Sequence, residues 1–237
     1  MESAMKSLTS HLNQFDGSSL RGLQSAMQRE AQRRAAARSL IDFTCYTYPR
    51  YEAASIHFQI AEQLERVARD EVDRLMLLVP PRHGKSELAS RRFPAWYLGR
   101  HPDKQFISAS ASFALAEDFG RDVRNLMNSE EYQQVFDTRL AEDSQARGRW
   151  TTTEGGSYFA TGVGGALMGR GAHMFLIDDP FGSMADARSE PTRKNVHDWF
   201  SANYSRLEKK RQNHPHQSPH ASGRPQRPSS GPAGRRR

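Results

Sequence analysis

Apolar positions recur at helical spacing in one part of the chain and bunch into short unbroken runs in another. Ile56, Ile60, Leu64 and Val67 share one face of a 3.6-residue period, which predicts an amphipathic helix over 56–72. Ala, Gln and Arg dominate 20–40, a composition that favours helix. The period then changes. Leu75-Met-Leu-Leu-Val79 is an unbroken apolar run ended by Pro80 and Pro81, the pattern of a strand buried on both faces. A helix over 86–98 follows, with Pro94 expected to kink it or end its regular part. Residues 105–109 predict a second strand and 112–127 another helix. Stretches 150–153 and 157–163 read as strands flanking Gly155 and Gly156, a candidate hairpin. Met174 to Ile177 form a third buried apolar run, stopped by Asp178, Asp179 and Pro180, and 190–210 predict a last helix with Pro191 in its first turn. Strands alternating with helices predict an α/β fold with a mostly parallel sheet flanked by helices.

Composition narrows the class. The chain has 237 residues, enough for one domain or two, and 36% of them are hydrophobic. The longest apolar run holds five residues, too short to span a membrane, and residues 1–17 lack the apolar stretch of a secretory signal. Cys45 is the single cysteine, so neither an internal disulfide nor a cysteine-rich zinc site is available. A soluble, intracellular-type chain is expected.

The net charge of +7 is unevenly placed. Residues 211–237 carry six Arg and no acid, and 1–40 carry six basic groups against three acids. Residues 41–210 hold 22 basic and 24 acidic side chains, so the basicity belongs to the ends and says little about the body's partner. The last 27 residues contain five Pro, no aromatic and no aliphatic side chain larger than Ala, and are expected to be a disordered Arg/Pro-rich tail. The organisation expected is an N-terminal helical or flexible segment over 1–40, a folded domain over 41–210 and the tail over 211–237.

Two motifs carry chemistry. Val79-Pro80-Pro81-Arg82-His83-Gly84-Lys85-Ser86 joins a predicted strand to a predicted helix, where backbone N–H groups at a helix N-terminus can hold phosphate oxygens. Gly84 allows close backbone approach, Lys85 reaches the β- and γ-phosphates, and the Ser86 hydroxyl suits Mg²⁺. The first glycine of the usual G-x-x-x-x-G-K-[ST] pattern is replaced by Val79. An ordinary turn capped by Ser86 would have the same local pattern. The second motif, Asp178-Asp179, stands at the carboxyl end of a predicted strand, 93 residues beyond Lys85. Ligands of open α/β sheets bind outside that edge. Asp178 is placed to hold a Mg²⁺ hydration shell and Asp179 to orient or deprotonate an attacking water.

Three stretches together, PPRHGKSELASRRFPAWYLGR, ASASFALAEDFGRDVRNLM and TGVGGALMGRGAHMFLIDDP, resemble the N-terminal ATPase domain of the large terminase subunit of tailed bacteriophages. The likeness runs from about Asp42 to Leu207, some seventy per cent of the chain. It implies a P-loop NTPase fold and an ATP- and Mg²⁺-dependent motor that drives double-stranded DNA into a procapsid in the host cytoplasm. It also implies work with a portal protein, a small terminase subunit and other copies of itself. By this resemblance Pro81, Arg82, His83, Gly84, Lys85 and Ser86 form the Walker A nucleotide contact, and Asp178 is the Walker B acid. Asp179 stands where many relatives carry a catalytic Glu one methylene longer. Arg82 is placed to sense the γ-phosphate, and Arg170 resembles the arginine finger offered to a neighbouring subunit. Tyr48, Pro49, His57, Phe58 and Gln59 resemble the adenine-recognition segment, although packing on its helix also accounts for His57.

Beyond Leu207 the likeness stops, where the family continues into a further sheet strand with a coupling motif, a linker and a nuclease. On this reading the chain is a truncated motor domain from a phage or prophage, with impaired hydrolysis and no nuclease chemistry. The alternatives are another P-loop translocase of helicase type and an inactive relic that binds nucleic acid nonspecifically.

Overall fold

A computed structural model describes residues 17–167 and 171–204 of the protein. Three helices lead in: α1 (Gly17–Arg38), α2 (Leu40–Thr47) and α3 (Ser55–Ala68). A π-helical stretch (Glu87–Arg92) runs into α4 (Phe93–Arg100) and then β1 (Gln105–Ser110). Next come α5 (Phe113–Met127), α6 (Glu130–Val135), β2 (Leu140–Ala146), β3 (Arg149–Thr152) and β4 (Ser157–Gly162). The chain closes with β5 (Met174–Asp178), α7 (Met184–Arg188) and α8 (Glu190–Tyr204). The predicted continuation of α8 to 210 and the tail at 211–237 lie outside the described residues, as does Arg170.

The five strands form one sheet in the order β2-β3-β4-β1-β5. It is mixed, which corrects the mostly parallel sheet expected from the strand–helix alternation. β4 and β5 each pair parallel with β1, whereas β2–β3 and β3–β4 are antiparallel. The reason is connection length. The links from β2 to β3 and from β3 to β4 are too short for a crossover and can only reverse the chain. At the second reversal Gly156 lies against the backbone of Pro102, where a Cβ would overlap the Pro102 carbonyl.

Side-chain alternation along β1 divides the core between the two faces. Phe106 stacks on Tyr158 at 5.7 Å, and Tyr158 stacks on Trp150 at 4.8 Å, a column across β1, β4 and β3. This column joins the larger cluster, where Trp96, Phe93 and Leu88 are fully buried. The Trp96 indole donates to the Ala36 carbonyl at 3.2 Å and ties α1 to α4. Ile107, on the other face, packs with Leu167 and Ala172, alongside Phe175 and Trp199 of α8. Helices thus flank both faces of the sheet.

The run before the phosphate loop departs from expectation. Residues 74–80 form no helix and no strand of the sheet, and they are not buried on both faces. Leu75, Leu77 and Val79 pack on the main core, while Met76 and Leu78 are 79% and 86% exposed. β5 ends the sheet, paired on one side with β1, so Met174 to Ile177, expected to be buried, are half-buried. An unbroken apolar run states how much surface could be buried, not which strand supplies the cover, and here only one side of the run is covered. Helix α8 links the two: Phe200 stacks on Phe175 of β5, and Tyr204 accepts a hydrogen bond from Arg74 at 2.9 Å.

Substitution at neighbouring positions of this run tests its orientation. Leu77→Ser should cost about 1–2 kcal/mol, and Leu78→Ser should stay within about 0.5 kcal/mol of the parent. Urea denaturation of the two variants beside the parent measures both.

Candidate functional site

The phosphate-loop residues and the acidic pair meet at the carboxyl end of the sheet. Because β1 and β5 are parallel, their ends coincide, and β1 fixes the acidic turn. Ser110 donates its hydroxyl proton to the Asp178 carbonyl at 2.6 Å, and the Ala111 N–H donates to the Asp179 carbonyl at 3.1 Å. Asp179 sits at φ 45°, a left-handed conformation unusual for a residue with a Cβ. That turn lets the Asp178 side chain point inward, 5% exposed, while Asp179 is exposed beside it.

Lys85 joins the halves. Its Nζ lies 2.9 Å from Asp178 Oδ1 and 2.6 Å from Asp179 Oδ1. Burial lowers the affinity of the Lys85 amine for its proton, but the bonds to Asp179 and Asp178 more than offset this and leave it above its ordinary value. Desolvation likewise pushes the Asp178 carboxyl up, and hydrogen bonds from Ser90, Lys85 and Ser86 outweigh it, holding it below the ordinary carboxylate range.

Ser90 donates to Asp178 Oδ2 at 2.6 Å and is fully buried. Nothing in the motif pattern singles it out. Its one signal is its place four residues after Ser86, on the same helical side. It lies in the π-helical stretch, where the Phe93 N–H reaches back to the Leu88 carbonyl. The widened turn immediately precedes Pro94, which has no N–H to give the Ser90 carbonyl. The expected disturbance at Pro94 therefore takes the form of a π turn rather than a break, and the helix continues to Arg100.

The loop is held open by two left-handed residues, Arg82 at φ 65° and Gly84 at φ 72°. A Cβ on Gly84 would sit 2.9 Å from His57 Nε2, so glycine is required both for its φ and for the approach of α3. His83 Nδ1 contacts the Pro81 carbonyl at 2.9 Å within the loop. Pro81, Arg82, Gly84, Lys85, Ser86 and Asp179 line a cleft of about 380 Å³. His83 is exposed on the loop beside it. The first N–H groups of the helix have no carbonyl one turn earlier to bond, so the cleft floor offers donors to an anion. Of the segment likened to adenine recognition, Tyr48, Phe58 and Gln59 are exposed, and His57 is half-buried against the loop.

The cleft thus combines an ammonium, a helix N-terminus, a hydroxyl and two carboxylates. A family model described as terminase large subunit, T4likevirus-type, N-terminal, matches residues 76–204, more than half of the chain. The match takes in the phosphate loop and the acidic pair. A search of curated proteins gave no match.

The hydrogen bond from Ser90 has a pH signature. A carboxyl held below its ordinary value stabilises the fold above the unfolded pKa of about 4, and that stability is lost as pH falls through the native value. Ser90→Ala raises the native value, so the variant should be about 1–3 kcal/mol less stable near pH 7. The gap should narrow once Asp178 is protonated in both proteins. Denaturation midpoints across the acid range measure it.

Proposed function

The chain belongs to the N-terminal family of T4-like terminase large subunits, proteins of phage DNA packaging, and on that premise we propose that its cleft binds and hydrolyses ATP. The observation that carries this reading is the contact of Lys85 with both Asp178 and Asp179, which gathers an ammonium and two carboxylates at one sheet edge. In the proposed P-loop NTPase site the loop amides from Gly84 onward receive phosphate oxygens, and Lys85 turns from the carboxylates to the β- and γ-phosphates. The Ser86 hydroxyl and the Asp178 carboxylate make an all-oxygen pair suited to a hard cation. They would hold Mg²⁺, which when bound offsets the charge of the transferring phosphoryl group. Asp179, exposed at the cleft mouth, orients the attacking water and receives its proton. Arg82 lines the same cleft and is placed to meet the γ-phosphate.

Within this reading the work of hydrolysis is translocation of double-stranded DNA into a procapsid, in company with the portal, the small terminase subunit and further copies of the chain. Arg170 keeps its role as a finger offered to a neighbouring copy. No helix among the described residues is long and apolar enough to cross a membrane.

Steady-state ATP hydrolysis by the purified chain beside Lys85→Ala, each with and without duplex DNA, tests the proposal. Removing the ammonium should lower turnover by about 100-fold or more. Equal turnover in parent and variant would overturn it.

A further inference from the structure

The phosphate loop is tied to a helix on the side away from the acids. His57 stands in the first turn of α3, three residues after its N-cap Ala54. Its Nδ1 accepts the Ala54 N–H at 3.0 Å, and its Nε2 lies 3.2 Å from the His83 carbonyl oxygen. These two contacts fix the ring's protonation. A nitrogen that accepts from an N–H carries no proton, and a carbonyl can only accept, so the proton is on Nε2. Tyr51 supports the ring, with centroids 5.2 Å apart. Its hydroxyl is buried with no hydrogen-bond partner among the described residues and lies 3.5 Å from where a Gly84 Cβ would be.

We propose that His57 is a positioning residue: as its Nε2–H tautomer it caps α3 with one nitrogen and, with the other, holds the phosphate loop in its left-handed form through the His83 carbonyl. The loop needs such a hold. Arg82 occupies a left-handed conformation at a cost, and Gly84 has more freedom than any other residue to leave one. A donor fixed to the first turn of α3 meets the carbonyl between these two positions. The loop's donors are then arranged before an anion arrives, which reduces the ordering cost of binding. Tyr51 is the wall that keeps the imidazole upright. The ligand's identity rests on the ATP reading above; the tether does not.

Two variants separate cap from tether. His57→Asn keeps an acceptor near the place of Nδ1 and loses the donor to the loop. His57→Gln puts an amide nitrogen near the place of Nε2 and restores it. In nucleotide-free protein, exchange of the Leu88 amide, which is bonded to the loop's Gly84 carbonyl, should quicken about three- to tenfold in His57→Asn, the change corresponding to one net hydrogen bond. Exchange in the first turn of α3 should stay near the parent, and His57→Gln should recover most of the Leu88 protection. Affinity for a fluorescent ATP analogue should follow the same order. Imidazole ¹⁵N shifts of the parent should show the Nε2–H tautomer. Parent-like Leu88 exchange in His57→Asn, or an Nδ1–H tautomer in the parent, would overturn the tether. Failure of every form to bind the analogue would count against the ATP reading, while the exchange and tautomer results still decide the role of His57.

Discussion

Lys85 lies between two carboxylates, and the geometry of the cleft depends on that contact. The apolar run that leads into residues 79–86 has no place in the sheet, so backbone ladders do not fix the loop relative to β5. Side chains do it instead. Lys85 spans to Asp178 and Asp179, Ser90 anchors Asp178 from the helix, and Arg74 meets Tyr204 at the far end of the run. Such a link differs from a ladder in kind. A ladder bond is made once, on folding, whereas an ion pair can be exchanged for a better partner. Because Asp178 is buried, removing Lys85 without a replacement would leave a charge in poor solvent, so the pair persists until another cation takes its place.

Strain is gathered at the same point. Of the three non-glycine residues with positive φ among those described, Arg82 and Asp179 flank the cleft on opposite sides, and Asp70 lies apart. The π-helical stretch begins directly after Ser86. Each departure re-aims a side chain or carbonyl: Asp179 frees Asp178 to point inward, and Arg82 shapes the cradle. Their cost is met by the stacked column of Phe106, Tyr158 and Trp150 and the buried Trp96, which hold the sheet and helices rigid around a locally unfavourable backbone.

The residues of the candidate site were more legible in the sequence than the architecture around them. Gly84-Lys85-Ser86 and Asp178-Asp179 were readable because each needs a particular residue type at a particular boundary, and the structure brings Lys85, Asp178 and Asp179 into contact. Strands β1, β3, β4 and β5 and helix α5 stand close to where the residue pattern put them. β2 escaped notice because LAEDSQA is polar and earns its place by pairing with β3, a contact with no local signature. Ser90 escaped because a serine inside a helix looks the same whether it faces solvent or a carboxylate. The sheet's mixed direction turned on the brevity of two links. The cover expected on both sides of Leu75 to Val79 was a statement about a neighbour, and neighbours are what one stretch of sequence describes least.

These features bear on how an empty cleft and a loaded one would differ. The cleft's acids and bases are matched to each other, with Lys85 satisfied by the carboxylates, so the field at its mouth is weaker than the count of basic groups suggests. A free polyphosphate would draw Lys85 away and strand Asp178, a costly exchange in a buried setting. A polyphosphate that arrived with a divalent cation would avoid that cost, because Asp178 would hold the cation in place of Lys85 while Lys85 met the phosphate. The proposed site should therefore discriminate between the free nucleotide and its magnesium complex through the burial of Asp178 rather than through any contact to the base. His57 acts on the other side of the same event. It keeps the loop's amides in place while the ion pair opens, so the exchange of partners proceeds on a cradle already formed.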